Sequence, residues 1–181
     1  MTLTIANKAG RPVTTHHYHN AHTPTLPSPP AAPTPGVMAD GQSMHYVVPL
    51  GYGGTMMVSA GEMLGQESQL EYTFETQDGI NKVALDISYF KAYSFSMVCT
   101  CSDGVKTGCD IPLFAKHQCV SPDYVNAAGA CVNAAPDAGP ASPFFADCKD
   151  KAYVYTFNDL ATNNGNCLTG DFTYEILPNG K

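Results

Sequence analysis

The stretch LEYTFETQDGINKVALDISY, at residues 70–89, decides the fold class of this chain. Apolar and polar residues alternate at its start, which is the period of a half-buried β-strand. Asp78 and Gly79 mark a turn, and residues 83–89 read as a second strand. Strands that end and restart at such short intervals, with no helical period between them, predict an all-β protein built as an antiparallel β-sandwich or barrel.

The same pattern extends towards both ends of the chain. Further predicted strands, each bounded by turn residues, cover residues 2–7, 12–18, 44–48, 55–59, 152–157 and 172–177. Residues 23–36 are rich in proline, which is excluded from helix interiors and central strands, so we expect a surface loop there. Residues 121–142 are rich in Ala, Gly, Pro and Asn and are also expected to be loop. Too few residues precede the proline-rich loop to form a separate domain, so residues 1–181 are predicted to form a single domain.

Composition excludes several classes of function. The 181 residues include 9 Lys and Arg against 16 Asp and Glu, which gives a net charge of −7. Because no cluster of basic residues is present, we do not expect binding to nucleic acid or to an anionic membrane surface. No apolar run reaches the roughly 18 residues that a membrane-spanning helix needs. A hydrophobic share of 44% is too high for a disordered chain.

All cysteines lie in the second half of the chain. The seven are Cys99, Cys101, Cys109, Cys119, Cys131, Cys148 and Cys167. Such clustering is typical of a disulfide-stapled protein from an oxidising compartment, so we expect a secreted, extracellular protein. Reduced cytosolic thiols are the alternative, and a zinc site is disfavoured because the cysteine spacings do not match a zinc knuckle. The odd number leaves one thiol over, or one intermolecular bond.

Nine segments spread over most of the chain form a distinctive series through their order and spacing. They are LTIAN (3–7), DGQS (40–43), PLGYGGT (49–55), LEYTF (70–74), LDISY (85–89), FSM (95–97), FFADCKDKAYVY (144–155), NC (166–167) and TYEI (173–176). In this series the chain resembles the thaumatin-like proteins, and in particular the small members with fewer disulfides that are known from fungi. The resemblance implies a β-sandwich of thaumatin-like topology with irregular, disulfide-stapled loops.

The resemblance also makes the cysteine pattern interpretable. The implied disulfides join Cys109 to Cys148, Cys119 to Cys131, and Cys167 to either Cys101 or Cys99. One of the last two cysteines is then unpaired. The resemblance implies that the disulfide-rich second domain of larger members is deleted in this chain, with residues 132–143 in its place. The cleft that this domain helps to form is therefore expected to be shallow or open.

Larger thaumatin-like proteins line that cleft with acidic residues, and the resemblance carries part of the acidic set to this chain. Glu71, Asp86 and Asp150 match three of its members. Tyrosines on strand faces could stack on sugar rings, and Tyr89 lies on the same predicted strand as Asp86. The candidate ligand-binding residues are therefore Glu71, Asp86, Asp150 and Tyr89.

The acidic set is also altered in this sequence. Its second aspartate falls near Lys91, and its arginine has no counterpart, Gln66 or Gln69 being nearest. The resemblance implies a secreted, non-catalytic protein that binds β-1,3-glucan or another cell-wall polysaccharide. Pathogenesis-related proteins and allergens of this family have defence or host-interaction roles. One alternative is a weak endo-β-1,3-glucanase that uses Glu71 and Asp86 as its two carboxyl groups. The other is that Glu71, Asp86 and Asp150 are ordinary strand-end and turn carboxylates.

A histidine cluster precedes the proline-rich loop. Four of the six histidines, His16, His17, His19 and His22, fall within seven residues. In an extended strand His17 and His19 share one face, and with His22 or His45 they could hold Cu(II) or Zn(II). A solvated polar loop is the alternative, and we predict no cofactor.

A further alternative function involves the proline-rich loop itself. A secreted effector or adhesin could use residues 23–36 to contact a host or cell-surface protein. The chain contains none of the sequence motifs of serine hydrolases, phosphate-binding loops or zinc proteases. We expect a monomer whose partner is a polysaccharide or such a protein.

Overall fold

The computed structural model describes residues 1–25, 36–158, 167–168 and 171–181. Within these residues the regular structure is almost entirely β-strand, which confirms the predicted all-β class. One short helix, α1 (Leu113–Lys116), and two 3-10 turns, Pro136–Ala138 and Ala146–Cys148, lie in the cysteine-rich half. Most of the predicted proline-rich surface loop, residues 26–35, lies outside the described residues. No helix in the described residues is long and apolar enough to cross a membrane.

The strands are numbered in chain order. They are β1 (Thr2–Asn7), β2 (Val13–His19), β3 (Gly36–Met38), β4 (Ser43–Val47), β5 (Gly53–Ser59), β6 (Ser68–Gln77), β7 (Ile80–Ser88), β8 (Ala92–Tyr93), β9 (Ser96–Cys101), β10 (Lys106–Cys109), β11 (Tyr124–Val125), β12 (Cys131–Val132) and β13 (Asp171–Leu177). The first sheet has the spatial order β10-β9-β13-β1-β4, and the second has the order β3-β2-β5-β6-β7. A small third sheet, β11-β12-β8, occupies part of the region predicted as loop.

Strand pairing in the first sheet departs from the antiparallel prediction at one place. β1 and β13 pair in parallel at the centre of this sheet, whereas its other pairs are antiparallel. Parallel strands cannot be joined by a tight turn. These two strands come from opposite ends of the described chain, so no hairpin constrains their direction, and the local sequence pattern could not reveal it.

The hydrophobic core lies between the two large sheets. Alternate residues on each strand point inwards, as in Leu3 and Ile5 of β1, and Leu70 and Tyr72 of β6. The same alternation sends the other face of each strand to the surface. The polar residues of β5, β6 and β7 therefore form an outer face of the second sheet.

Three disulfides staple the cysteine-rich half. They join Cys101 to Cys167, Cys109 to Cys148 and Cys119 to Cys131, the pairings that the resemblance implies, with Cys101 as the partner of Cys167. Cys99 is the free thiol and is fully buried. Burial raises the pKa of its thiol far above the ordinary range, so Cys99 is a core residue.

The strand predicted over residues 152–157 is wrong. Only Tyr153 forms a β-bridge there, in parallel with Ser88, and the rest of the segment is turn. The Asn158 amide group donates to the carbonyl oxygens of Lys149 at 2.7 Å and Ala152 at 3.1 Å, which curls the segment back on itself. A side chain that satisfies main-chain carbonyls in this way competes with strand pairing.

Candidate functional site

The outer face of the second sheet carries two rows of side chains that cross several strands. Strand register places the members of each row side by side. The first row is Tyr18, Thr55, Glu71 and Asp86, and the second is His16, Met57, Gln69, Ser88 and Tyr153. Because neighbouring strands lie about 4.8 Å apart, the second row extends over roughly 19 Å.

The turn between β6 and β7 sets the register of the two acidic residues. Asp78 and Gly79 both have positive φ angles, 54° and 77°, as a two-residue hairpin turn requires. Pairing across this turn places Glu71 directly opposite Asp86. Residues opposite one another on one face of an antiparallel pair are close enough for their side chains to interact. The two carboxyl groups are therefore neighbours as a direct consequence of the hairpin.

Two segments beyond β7 form a wall at the side of these rows. Tyr153 pairs with the end of β7: its N–H donates to the Ile87 carbonyl oxygen at 2.8 Å, and the Tyr89 N–H donates to the Tyr153 carbonyl oxygen at 2.8 Å. The ring of Phe90 lies 5.8 Å from the ring of Tyr153. The wall is thus a pair of aromatic rings fixed to the sheet by main-chain hydrogen bonds.

The rows and the wall enclose an open cavity of about 650 Å³, which we call the sheet groove. Besides members of both rows, it is lined by Gly65, Phe90, Lys91 and Thr156. Glu71 lines the groove, and Asp86 adjoins Glu71 from β7. Tyr18, at the end away from the wall, is 47% exposed and stacks on His16 with ring centroids 4.2 Å apart. Cavities of this size are typical of small-molecule and oligomer-binding sites.

Glu71 and Asp86 form a coupled carboxyl pair. Burial, the charge of Glu71 and a hydrogen bond to Glu71 together raise the pKa of Asp86 to about 7. Burial also raises the pKa of Glu71, while hydrogen bonds with Ser88 and Asp86 and the charge of Lys91 act in the opposite direction. The Asp86 oxygen Oδ1 is buried without a hydrogen-bond partner. The pair therefore retains a proton to higher pH than two isolated carboxyl groups would.

This closeness bears on hydrolysis. Retaining glycosidases hold their two carboxyl groups about 5–5.5 Å apart, and inverting ones hold them about 6.5–9.5 Å apart, with the scissile bond between them. Glu71 and Asp86 stand directly opposite one another across the hairpin, on the same face of the sheet.

A loop before β6 supplies part of the groove rim through Gly65. Glu67 anchors this loop: its side chain is fully buried, and Oε1 accepts the Leu64 N–H at 2.5 Å. Burial raises the pKa of Glu67, while main-chain donors of the loop and the charge of Lys91 lower it. The carboxylate thus holds the rim in place from inside the protein.

Two of the predicted ligand-binding residues, Asp150 and Tyr89, do not line the sheet groove. Asp150 is exposed and is not among the residues that line the sheet groove. The prediction that Tyr89 contacts a ligand is wrong, because its side chain is fully buried. Its hydroxyl group donates to the Cys109 carbonyl oxygen at 3.2 Å and accepts the Met97 N–H at 2.9 Å. Tyr89 therefore braces the core.

Two positions noted for their departure from the acidic set do reach the sheet groove. Lys91 and Gln69 both line it. Gln66 instead donates to the Tyr124 hydroxyl at 3.4 Å. The groove floor consequently combines a carboxyl pair with a lysine and an amide, so it can both donate and accept hydrogen bonds.

The histidine cluster does not converge on one point. His16 lies on the groove face, whereas His17 points inwards, with its ring 4.9 Å from that of Tyr46. Burial and the charge of His16 lower the pKa of His17 to about 4, and both ring nitrogens are buried without a partner. His19 is exposed at the end of β2, and His22 lies in the turn beyond it with a φ angle of 69°.

Metal-ligand spacing occurs elsewhere in the described residues, but without free ligands. Cys101, Asp103 and Cys167 lie close together, yet the two sulfur atoms are bonded to one another. A disulfide sulfur is not the thiolate that binds metal. Within the part of the chain that the structure describes, no histidine belongs to a group with metal-ligand spacing.

Comparison with known proteins identifies the fold. No family model matches the chain, and no curated protein matches it. The solved structure of the thaumatin-like xylanase inhibitor TLXI matches with a TM-score of 0.50 and 12% identity, over 97% of each chain. The chain has a thaumatin-like fold. The match covers both chains almost completely, so the likeness concerns the architecture as a whole.

A second similar structure covers less of the chain. The protein elicitor MoHrip2 from Magnaporthe oryzae matches with a TM-score of 0.43 and 15% identity, over 60% of this chain and 76% of its own. At 12% identity the likeness to the xylanase inhibitor extends to the thaumatin-like fold and not to any ligand. The chemistry of the sheet groove must therefore be argued from its own residues.

Proposed function

We propose that this thaumatin-like protein is secreted and binds a neutral cell-wall polysaccharide, β-1,3-glucan, in the sheet groove without hydrolysing it. Its role would lie in wall biology, defence or host interaction. The observation that carries the proposal is the position of Glu71, coupled to Asp86, on the floor of an open 650 Å³ groove with aromatic side chains at its ends. The three disulfides support an extracellular location.

The groove offers groups that match both kinds of surface on a sugar chain, apolar faces and hydroxyl groups. Sugar rings have apolar faces that pack on aromatic rings, which Tyr18 and Tyr153 supply. Their hydroxyl groups need donors and acceptors, which Thr55, Gln69 and Glu71 supply along the floor. A few polar groups among apolar ones are the usual composition of a site that orients a small ligand.

We propose binding without turnover from the arrangement of the carboxyl groups. A general acid and a base or nucleophile must lie on either side of the scissile bond. Glu71 and Asp86 stand side by side on one face of the sheet, and Asp150 does not line the groove. The pair is better suited to accept and donate hydrogen bonds to sugar hydroxyl groups than to cleave a linkage.

Retention on insoluble β-1,3-glucan at pH 6 tests this function. We expect wild type to be retained and Glu71→Gln to bind about tenfold more weakly, because one charge-assisted hydrogen bond is lost. Asp150→Asn removes an exposed carboxylate away from the groove and serves as the matched control, with unchanged retention. Thermal unfolding of each variant checks that it is folded.

Two results would contradict the proposal. Wild type that is not retained, or Glu71→Gln that is retained equally well, would exclude binding through this groove. Reducing ends released from soluble β-1,3-glucan by wild type, and not by Glu71→Gln, would instead establish the glucanase alternative.

A further inference from the structure

Phe157 is unusually exposed for a phenylalanine. Its exposed fraction is 82%, the largest of any large hydrophobic side chain in the described residues. It directly follows Thr156, which lines the sheet groove at the wall. A single exposed apolar side chain is ordinary on a protein surface, so its position beside two lining residues, Thr156 and Tyr153, carries the argument.

The main chain at Phe157 is also held in an unfavourable conformation. Its φ angle is 62°, in the left-handed region that favours glycine and asparagine and penalises a residue with a bulky side chain. The Phe157 N–H donates to the Tyr153 hydroxyl at 3.1 Å. The side chain of the next residue, Asn158, donates to the carbonyl oxygens of Lys149 and Ala152. The surroundings thus hold Phe157 in place at a cost, which is characteristic of functional positions.

Tyr18 occupies the opposite end of the sheet groove. Its ring is 47% exposed and is supported from one side by His16, with the ring centroids 4.2 Å apart. Three strand spacings separate β2 from β7, and the wall lies beyond β7. At about 4.8 Å a spacing, the distance between the two aromatic ends is well above that of a single sugar ring.

We propose that Phe157 and Tyr18 are stacking platforms for sugar rings at opposite ends of the sheet groove, so that the ligand is an extended glycan and not a single sugar. This inference rests on the proposed function and specifies its ligand. Glu71 and Gln69 on the floor then contact the middle of the glycan, and each aromatic ring binds the apolar face of a sugar at one end of it.

The test compares Phe157→Asn with wild type in binding to a β-1,3-linked hexasaccharide and to the disaccharide, by calorimetry. Asparagine accepts the left-handed conformation, so we expect Phe157→Asn to unfold at a higher temperature than wild type. We also expect it to bind the hexasaccharide about tenfold more weakly. Tyr18→Ala should weaken hexasaccharide binding similarly, and wild type should bind the disaccharide at least tenfold more weakly than the hexasaccharide.

Ile80→Asn is the matched control, because it removes another exposed apolar side chain, 55% exposed, at the far end of β7. It should bind the hexasaccharide as wild type does, which distinguishes stacking at the groove from non-specific binding to exposed apolar side chains. If wild type binds the hexasaccharide and Phe157→Asn binds it equally well, this inference is wrong while the proposed function stands. Equal wild-type affinities for the two sugars have the same meaning. If wild type binds neither β-1,3-glucan nor its oligosaccharides, both are wrong.

Discussion

Replacement of Asp86 by asparagine should stabilise the protein at alkaline pH. The Asp86 carboxyl group is partly buried beside Glu71, and these surroundings raise its pKa from 3.8 to about 7. In the unfolded chain the carboxyl group ionises at its ordinary value. Between these two pH values the native state therefore binds more protons than the unfolded state, and stability falls as the pH rises.

The size of the effect follows from that interval. Each pH unit over which the native and unfolded states differ by one proton changes the free energy of unfolding by about 1.4 kcal/mol. The interval for Asp86 gives an upper bound of about 4 kcal/mol, reached above pH 7 and absent below pH 4. Asparagine has the same shape and does not ionise, so Asp86→Asn avoids this loss.

Urea unfolding of wild type and Asp86→Asn at pH 4, 6 and 8 measures the difference. We expect near equality at pH 4 and a growing advantage of the variant at pH 6 and pH 8. Asp150→Asn, at an exposed carboxylate, is the control and should stay within about 0.5 kcal/mol of wild type throughout. An advantage below about 1 kcal/mol at pH 8, or one of equal size at every pH, would refute the electrostatic reasoning.

Two further predictions concern stability. Because the pKa of His17 is lowered, the native state loses stability as pH falls from 6.5 to about 4, by at most about 3 kcal/mol. His17→Phe should therefore show a smaller loss of stability in acid unfolding experiments. An equal loss in both proteins would contradict this. The Cys101–Cys167 disulfide closes the longest loop, with a sequence separation of 66, so replacing both cysteines by serine should lower the free energy of unfolding by about 4 kcal/mol in urea titrations. A smaller effect than that of the corresponding Cys119 and Cys131 variant, whose separation is 12, would count against the loop-entropy explanation.

The hairpin at the centre of the groove floor could be predicted from local sequence. Alternation in residues 70–75 gives the strand, and the Asp78–Gly79 turn fixes the register. Together they place Glu71 opposite Asp86 by counting alone. Turn chemistry and strand period act over a few residues, which is why a sequence pattern can reveal them.

The rest of the site could not be found in this way. Tyr153 forms a β-bridge with Ser88, 65 residues away in sequence, and no short-range pattern predicts such a contact. The β-branched and aromatic residues in 152–157 predict a strand, whereas the segment forms a single bridge at Tyr153 and the Asn158 side chain bonds nearby main-chain carbonyls. The inward orientation of His17 could have been predicted, because strand alternation places it on the inward side of β2 with Val13 and Thr15.

The parallel pairing of β1 with β13 has a consequence for how the protein reaches its native state. Thr2 and Asp171 are 169 residues apart in sequence, yet they are neighbours at the centre of the first sheet. β1 is synthesised before β13, so one of its edges can pair early with β4, but its other edge has no partner until β13 has been made. Contacts of such long range make folding slow and leave strand edges open to wrong partners. One edge of β1 therefore stays open to wrong partners until β13 has been made.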